Sequence, residues 1–314
     1  MIVLFVDTVH PILSERLTAE GMTCLHVESE SNEVVFEKMK TCDGLVIRSR
    51  FPLDEKRLKT CANLKFIARS GAGMENIDLA FCAENNIDLF NSPEGNRNAV
   101  AEHALGMLLS VMNHLHTAHQ EIKNSLWDRE GNRGEELDGK TVGIIGYGNN
   151  GAAFAKKLRG FDVKVLAYDK YKSGYGDHFV MESTLEAIQN QAEVISFHVP
   201  QNEETISYFN ADFLEACEKP FYLLNLSRGK VVEIQTVLKG LKNHKIKGVG
   251  LDVLEYEESS FENFFTKKFP AEFQDLVDSK NVILSPHVGG WTNESYLLLS
   301  NVLADKILYA MHNN

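Results

Sequence analysis

The sequence predicts an α/β protein of two doubly wound domains, each a parallel sheet covered on both faces by helices. Three observations carry this. Short apolar runs rich in Val, Ile and Leu alternate with amphipathic stretches along all 314 residues, as strands buried on both faces require. A glycine-rich turn, Gly146-Tyr147-Gly148-Asn149-Asn150-Gly151, stands between an apolar run and a helical pattern. Nearly half the chain precedes that turn, so another domain must precede or surround it. A chain of this length can bury two cores.

In chain order, strands are expected over residues 2–6, 23–27, 44–47, 65–68 and 87–90, separated by helices such as 11–20, with Gly21 just past its end as a C-cap. A long helix is expected from about 98 to 123, apolar along Val100, Ala104, Met107, Leu108 and Val111. Past the glycine turn, strands are expected over 163–167, 194–197, 221–224, 247–251 and 282–284. The last helix, about 294–312, reads as returning to the first domain. That gives a discontinuous first domain, 1–97 with 288–314, flavodoxin-like, and a Rossmann domain over 98–287.

Composition narrows the partners. A net charge of −12 argues against a nucleic-acid groove or an anionic membrane, though not against an anionic small molecule. No stretch approaches the roughly 18 apolar residues of a membrane span. Met1–Val6 lacks the basic flank of a signal peptide. Five cysteines without metal spacing suit a reduced, cytoplasmic interior, and no metal site is expected.

The turn carries the first chemistry. Its first glycine permits a tight bend, its second admits a pyrophosphate, and its third lets helix pack on strand; the phosphates then meet the helix N-terminus. Asp169 follows 18 residues after Gly151, at the end of a strand, where a carboxylate accepts ribose hydroxyls and repels a 2′-phosphate. NAD is therefore expected over NADP, with Lys170 and Lys172 weighing against it. Arg228, Glu257 and His287 each follow a later strand, where such sheets place ligands. Hydride transfer to a 2-keto acid leaves an oxyanion that a His can protonate. A carboxylate favours the imidazolium and fixes the ring, and an Arg holds the substrate carboxylate and polarises the carbonyl. The bland alternatives are a helix-capping Arg, a solvated acidic loop and a structural His.

At these residues the chain resembles the D-isomer-specific 2-hydroxyacid dehydrogenases over essentially its whole length. The resemblance rests on Ser70-Gly71-Ala72-Gly73 with Asn76-Ile77-Asp78, Val100-Ala101-Glu102-His103, the glycine turn with Asp169, and His198-Val199-Pro200 with Glu204-Thr205. It continues through Asn225–Gly229, Leu251-Asp252-Val253 with Glu257, and Pro286-His287-Val288-Gly289-Gly290. It implies that Arg228 binds substrate, Glu257 orients the imidazole and His287 is the acid/base. It implies NAD contacts from Gly146, Gly148, Asn149, Asn150, Gly151, Asp169, His198, Pro200, Thr205, Leu226, Ser227, Arg228, Asp252, His287, Gly289 and Gly290. It also implies that amides around Gly71, Ala72 and Gly73 hold the substrate carboxylate from the opposite domain, and that the region 98–140 is a dimerisation arm of a homodimer. Asn150 departs from the family, which has Ile, Val or Met there. Its effect, on helix packing or on the pyrophosphate, stays open.

Arg48-Ser49-Arg50 resembles the segment of the 3-phosphoglycerate branch, where two arginines could bind a substrate phosphate. D-3-phosphoglycerate, oxidised to 3-phosphohydroxypyruvate in serine biosynthesis, is the expected substrate. Glyoxylate, hydroxypyruvate or D-lactate is the alternative. No regulatory domain is expected after the last helix, nor feedback by serine through one. A corepressor-like NAD-sensing protein is the rival class. A formate dehydrogenase is disfavoured, because that branch lacks the carboxylate seen here as Glu257. His114, His116 and His119 do not share a helix face as ligands would.

Overall fold

The computed structural model describes residues 1–257 and 270–313. The chain divides into two compact units, one of residues 1–97 and 291–313, the other of residues 98–257 and 270–290.

The first unit holds β1 (Ile2–Phe5), β2 (Thr23–His26), β3 (Gly44–Ile47), β4 (Phe66–Arg69) and β5 (Asp88–Asn91). They pair in parallel in the order β2-β1-β3-β4-β5. The order reverses between β1 and β3, so the crevice for a ligand opens beyond the carboxyl ends of those two strands. Every residue of β3 is buried, as its apolar sequence requires. One face packs Leu4, Leu45 and Ile67 beneath Val35 and Met39. The other packs Val3, Phe5 and Val46 against Leu13, Leu17, Leu303, Ala304 and Ile307. The last three lie on the helix Asn293–Asn313, so the chain's last helix belongs to this unit's core. Burial of side chains this size contributes about 1.5–3 kcal/mol each.

The second unit holds β6 (Thr141–Ile145), β7 (Lys164–Tyr168), β8 (Val180–Glu182), β9 (Val194–Phe197), β10 (Phe221–Asn225), β11 (Ile246–Leu251) and β12 (Val282–Leu284). All are parallel, in the order β12-β11-β10-β9-β6-β7-β8, which reverses between β6 and β9. Both sheets are therefore doubly wound. β8 has no counterpart in the sequence reading. Its three residues at the sheet edge bury only Val180, too little for a periodic signal.

The expected helix over 98–123 is two helices, Pro93–Met112 and Leu115–Lys123. His114 between them has φ 53°. The break has a tertiary cause. The Glu135 amide donates to the Met112 carbonyl at 3.0 Å, and a Cβ on Gly134 would stand 2.7 Å from that same oxygen. The crossing segment takes the carbonyl that would continue the helix.

Candidate active site

The glycine turn lies where β6 and β9 diverge. Gly146 has φ +92°, and a Cβ there would stand 2.5 Å from the His198 carbonyl oxygen. A Cβ on Gly151 would stand 2.0 Å from the Gly146 carbonyl oxygen. Both glycines are forced by packing. Gly148 is different: a Cβ there would meet nothing within 4 Å, and the helix Asn149–Leu158 begins immediately after it. Open space before a helix N-terminus is what a pyrophosphate requires, so these residues fit a dinucleotide.

Asp169 follows β7. Its Oδ2 accepts from the Tyr147 amide at 2.8 Å, and its Oδ1 from the amides of Tyr171 at 3.0 Å and Lys172 at 3.1 Å. The carboxylate is thereby held against the glycine turn. Lys170 pairs with Glu204 at 2.8 Å, which draws its charge toward that carboxylate. Thr205 Oγ1 donates to the Pro200 carbonyl at 2.6 Å and shapes the loop after β9. His198 rests on Phe154, with ring centroids 5.5 Å apart, and Ser196 Oγ lies 2.8 Å from its Nε2. Burial pushes its pKa down to about 4. Asn150 Oδ1 is buried without a hydrogen-bond partner, a cost that an apolar residue would avoid.

His287 and Glu257 meet at 2.8 Å, Nδ1 to Oε2. Glu257 Oε1 accepts from the Leu254 amide at 2.6 Å, which fixes the carboxylate. His287 takes φ 55°, with its amide donating to the Asp252 carbonyl at 2.8 Å. Arg228 comes beside this loop through Gly229, where a Cβ would stand 1.9 Å from the Leu254 carbonyl oxygen. Only a glycine permits that backbone approach. Asn225, fully buried, braces the turn: Nδ2 donates to the Arg228 carbonyl at 2.9 Å, and Oδ1 accepts from the Ser227 hydroxyl at 2.7 Å. The Arg228 guanidinium donates to the Ser227 carbonyl at 2.7 Å. Leu226 is buried within the turn.

Asp252 is 2% exposed and ties down the loop that carries His287. Oδ1 accepts from the Ser285 hydroxyl at 2.5 Å and the Val288 amide at 2.9 Å, and Oδ2 accepts from the Gly289 amide at 2.8 Å. His103 Nε2 lies 2.9 Å from Ser285 Oγ. Since that hydroxyl donates to Asp252, His103 is the donor to it. Sequence reasoning left Ser285 and His103 out of the site, although His103 stood within a motif.

The first unit divides Arg48 from Arg50. The Arg50 guanidinium donates to the carbonyls of Val6 at 2.8 Å, Val27 at 3.1 Å and Glu28 at 3.1 Å, to the Glu30 carbonyl, and from Nε to Asn32 Oδ1 at 2.9 Å. The expectation that Arg50 binds substrate is thus corrected: its fork braces the ends of β1 and β2. Arg48 lies over the ring of Trp291, 4.1 Å from its centroid, and its Nη1 donates to the Thr8 carbonyl at 3.5 Å. The carbonyls of Gly71 and Ala72 accept from the Ser92 amide at 2.9 Å and Asn91 Nδ2 at 2.7 Å. Among the described residues, the amides of Ala72 and Gly73 donate to no acceptor.

Residues 105–289 match the family described as D-isomer specific 2-hydroxyacid dehydrogenase, NAD binding domain. The chain belongs to this family. Its cofactor is NAD. The chain is 29% identical to the D-3-phosphoglycerate dehydrogenase of Bacillus subtilis over 95% of its own length and 56% of that protein's. It therefore spans about half the length of such relatives. It is 30% identical to the hydroxypyruvate reductase of Thermotoga maritima over 91% of its own length and 89% of that protein's. The D-lactate dehydrogenase of Aquifex aeolicus, solved with NAD and lactic acid, shares its fold with a TM-score of 0.84 at 24% identity, covering 100% of this chain and 96% of that one.

Proposed function

We propose that this dehydrogenase interconverts D-3-phosphoglycerate and 3-phosphohydroxypyruvate, a step that would serve serine formation. The observation that carries the chemistry is the His287–Glu257 pair at 2.8 Å, beside a turn that presents Arg228. The glycine turn and Asp169 would hold NADH, which when bound would supply the hydride. Arg228 binds the substrate carboxylate and polarises the ketone through a planar fork of donors. His287 holds a proton on Nε2 and delivers it to the developing alkoxide; in the oxidative direction it takes the proton back. Glu257 orients the ring and stabilises the imidazolium through Nδ1. The amides of Ala72 and Gly73 hold the carboxylate, and Arg48 recognises the phosphate.

A second reading is hydroxypyruvate as substrate. It is favoured by the inward fork of Arg50, which is spent on the protein's own carbonyls and not on a substrate phosphate. Measuring NADH-dependent reduction of 3-phosphohydroxypyruvate, hydroxypyruvate, pyruvate and glyoxylate separates the readings. A kcat/KM at least tenfold higher for the phosphorylated substrate supports the first, and equal values for the first two support the second.

The helix Leu115–Lys123 and the segment after it expose Leu115, Ile122, Leu126 and Trp127. We propose this face as the contact of a homodimer, working in the cytoplasm. Sedimentation of the purified protein tests the dimer.

A further inference from the structure

Trp291 entered no reading of the sequence, yet it is 57% exposed and covers the Arg48 guanidinium. Both partners are anchored. Arg48 follows β3, and its amide, with those of Ser49 and Arg50, donates to Asp7 Oδ2 at 2.6, 3.0 and 3.1 Å. Trp291 precedes a capping box at the start of the helix Asn293–Asn313: the Thr292 amide donates to Ser295 Oγ at 2.9 Å, and the Ser295 amide to Thr292 Oγ1 at 3.0 Å. The pair thus sits at the carboxyl ends of β1 and β3, where the order of this sheet reverses.

We infer that Trp291 is a specificity-determining residue that holds Arg48 for the distal anion of the substrate. This rests on the reading of a substrate with such an anion. The indole face shields one side of the guanidinium from water and fixes its plane, so that its edge presents donors in a set direction. Donors shielded in this way bind a phosphate oxygen more strongly than solvated ones. Lysine at position 48 would lack the plane that the indole covers. The exposed indole also excludes water from the anion's flank.

The test has two arms. Trp127→Phe leaves Trp291 as the remaining tryptophan of the two in the chain. Titrating that protein with inorganic phosphate should give a saturable change in indole emission, lost when Arg48→Ala is added. No change, or a change that survives Arg48→Ala, overturns the inference. In the kinetic arm, Trp291→Ala should raise KM for 3-phosphohydroxypyruvate about 2–30-fold with kcat unchanged, leave hydroxypyruvate kinetics untouched, and be largely rescued by Trp291→Phe. Equal losses on both substrates overturn it as well. A wild-type protein with no preference for the phosphorylated substrate would instead defeat the substrate reading, and the phosphate titration would still decide the role of Trp291.

Discussion

His287 Nδ1 stands 2.8 Å from Glu257 Oε2 across 30 residues of chain, with His287 in a left-handed backbone conformation at φ 55°. A non-glycine residue takes that conformation only where its surroundings enforce it. Here the carbonyl and carboxylate of Asp252 enforce it from both sides of the loop. The pair is therefore built by the ends of β11 and β12 together.

Replacing His287 with Ala should lower kcat by about 10²–10⁴ while leaving NADH affinity within a few fold. Glu257→Gln keeps the hydrogen-bonding shape without the charge and should cost less than His287→Ala. Stopped-flow reduction with separate NADH titration measures both. An unchanged kcat in His287→Ala removes the residue from its assigned role.

Ser285→Ala removes the hydroxyl that donates to buried Asp252, and about 1.5–3 kcal/mol of stability should go with it. His103→Gln, which can still donate to Ser285, should be tolerated, whereas His103→Phe should not. Urea unfolding of the three variants checks the order. A Ser285→Ala protein as stable as wild type would contradict the linkage.

Asp169→Ala should weaken NADH binding about tenfold to a hundredfold, since it removes both the ribose acceptor and the brace on Tyr147. Fluorescence titration with NADH and NADPH reads this directly. A wild-type preference for NADPH would overturn the assigned role of Asp169.

Asn150→Ile removes a buried oxygen without a partner and should raise stability by about 1 kcal/mol. A loss of stability would mean that the Asn150 side chain makes a contact that the fold depends on. The same variant settles whether the amide helps hold the cofactor, because NADH affinity would then fall.

Stability should also depend on pH through His198. Burial holds its pKa at about 4 in the folded chain, against an ordinary value of 6.5. Above 6.5 both states are neutral and the group contributes no slope. As pH falls from 6.5 toward 4 the unfolded chain binds a proton that the folded chain refuses, so stability drops by about 1.4 kcal/mol per unit. Urea midpoints across that window should lose this component of slope in His198→Phe. An identical slope in that variant would show that other groups set it.

The fold was legible because parallel strands buried on both faces leave continuous Val, Ile and Leu runs, as in Gly44–Ile47 and Phe221–Asn225. Legibility ended where tertiary contacts decide. β8 shows one buried side chain, and the break at His114 is made by Gly134 and Glu135 crossing from elsewhere in the chain. In the site, Arg228, Glu257 and His287 stood out by following strands, and the structure brings Glu257 to His287 and the turn of Arg228 beside them. Arg48 and Arg50 looked equivalent because both follow β3. Which fork turns inward depends on carbonyls at residues 6, 27, 28 and 30, which local sequence does not display. Ser285 and Trp291 escaped notice for the same reason: their partners lie far off in the chain.

The most direct test is kcat/KM for NADH-dependent reduction of 3-phosphohydroxypyruvate beside hydroxypyruvate, in wild type and Arg48→Ala. A preference of at least about tenfold for the phosphorylated substrate is expected, abolished by Arg48→Ala with hydroxypyruvate turnover retained. Equal turnover of the two substrates by the wild type, or a preference that survives Arg48→Ala, would contradict it.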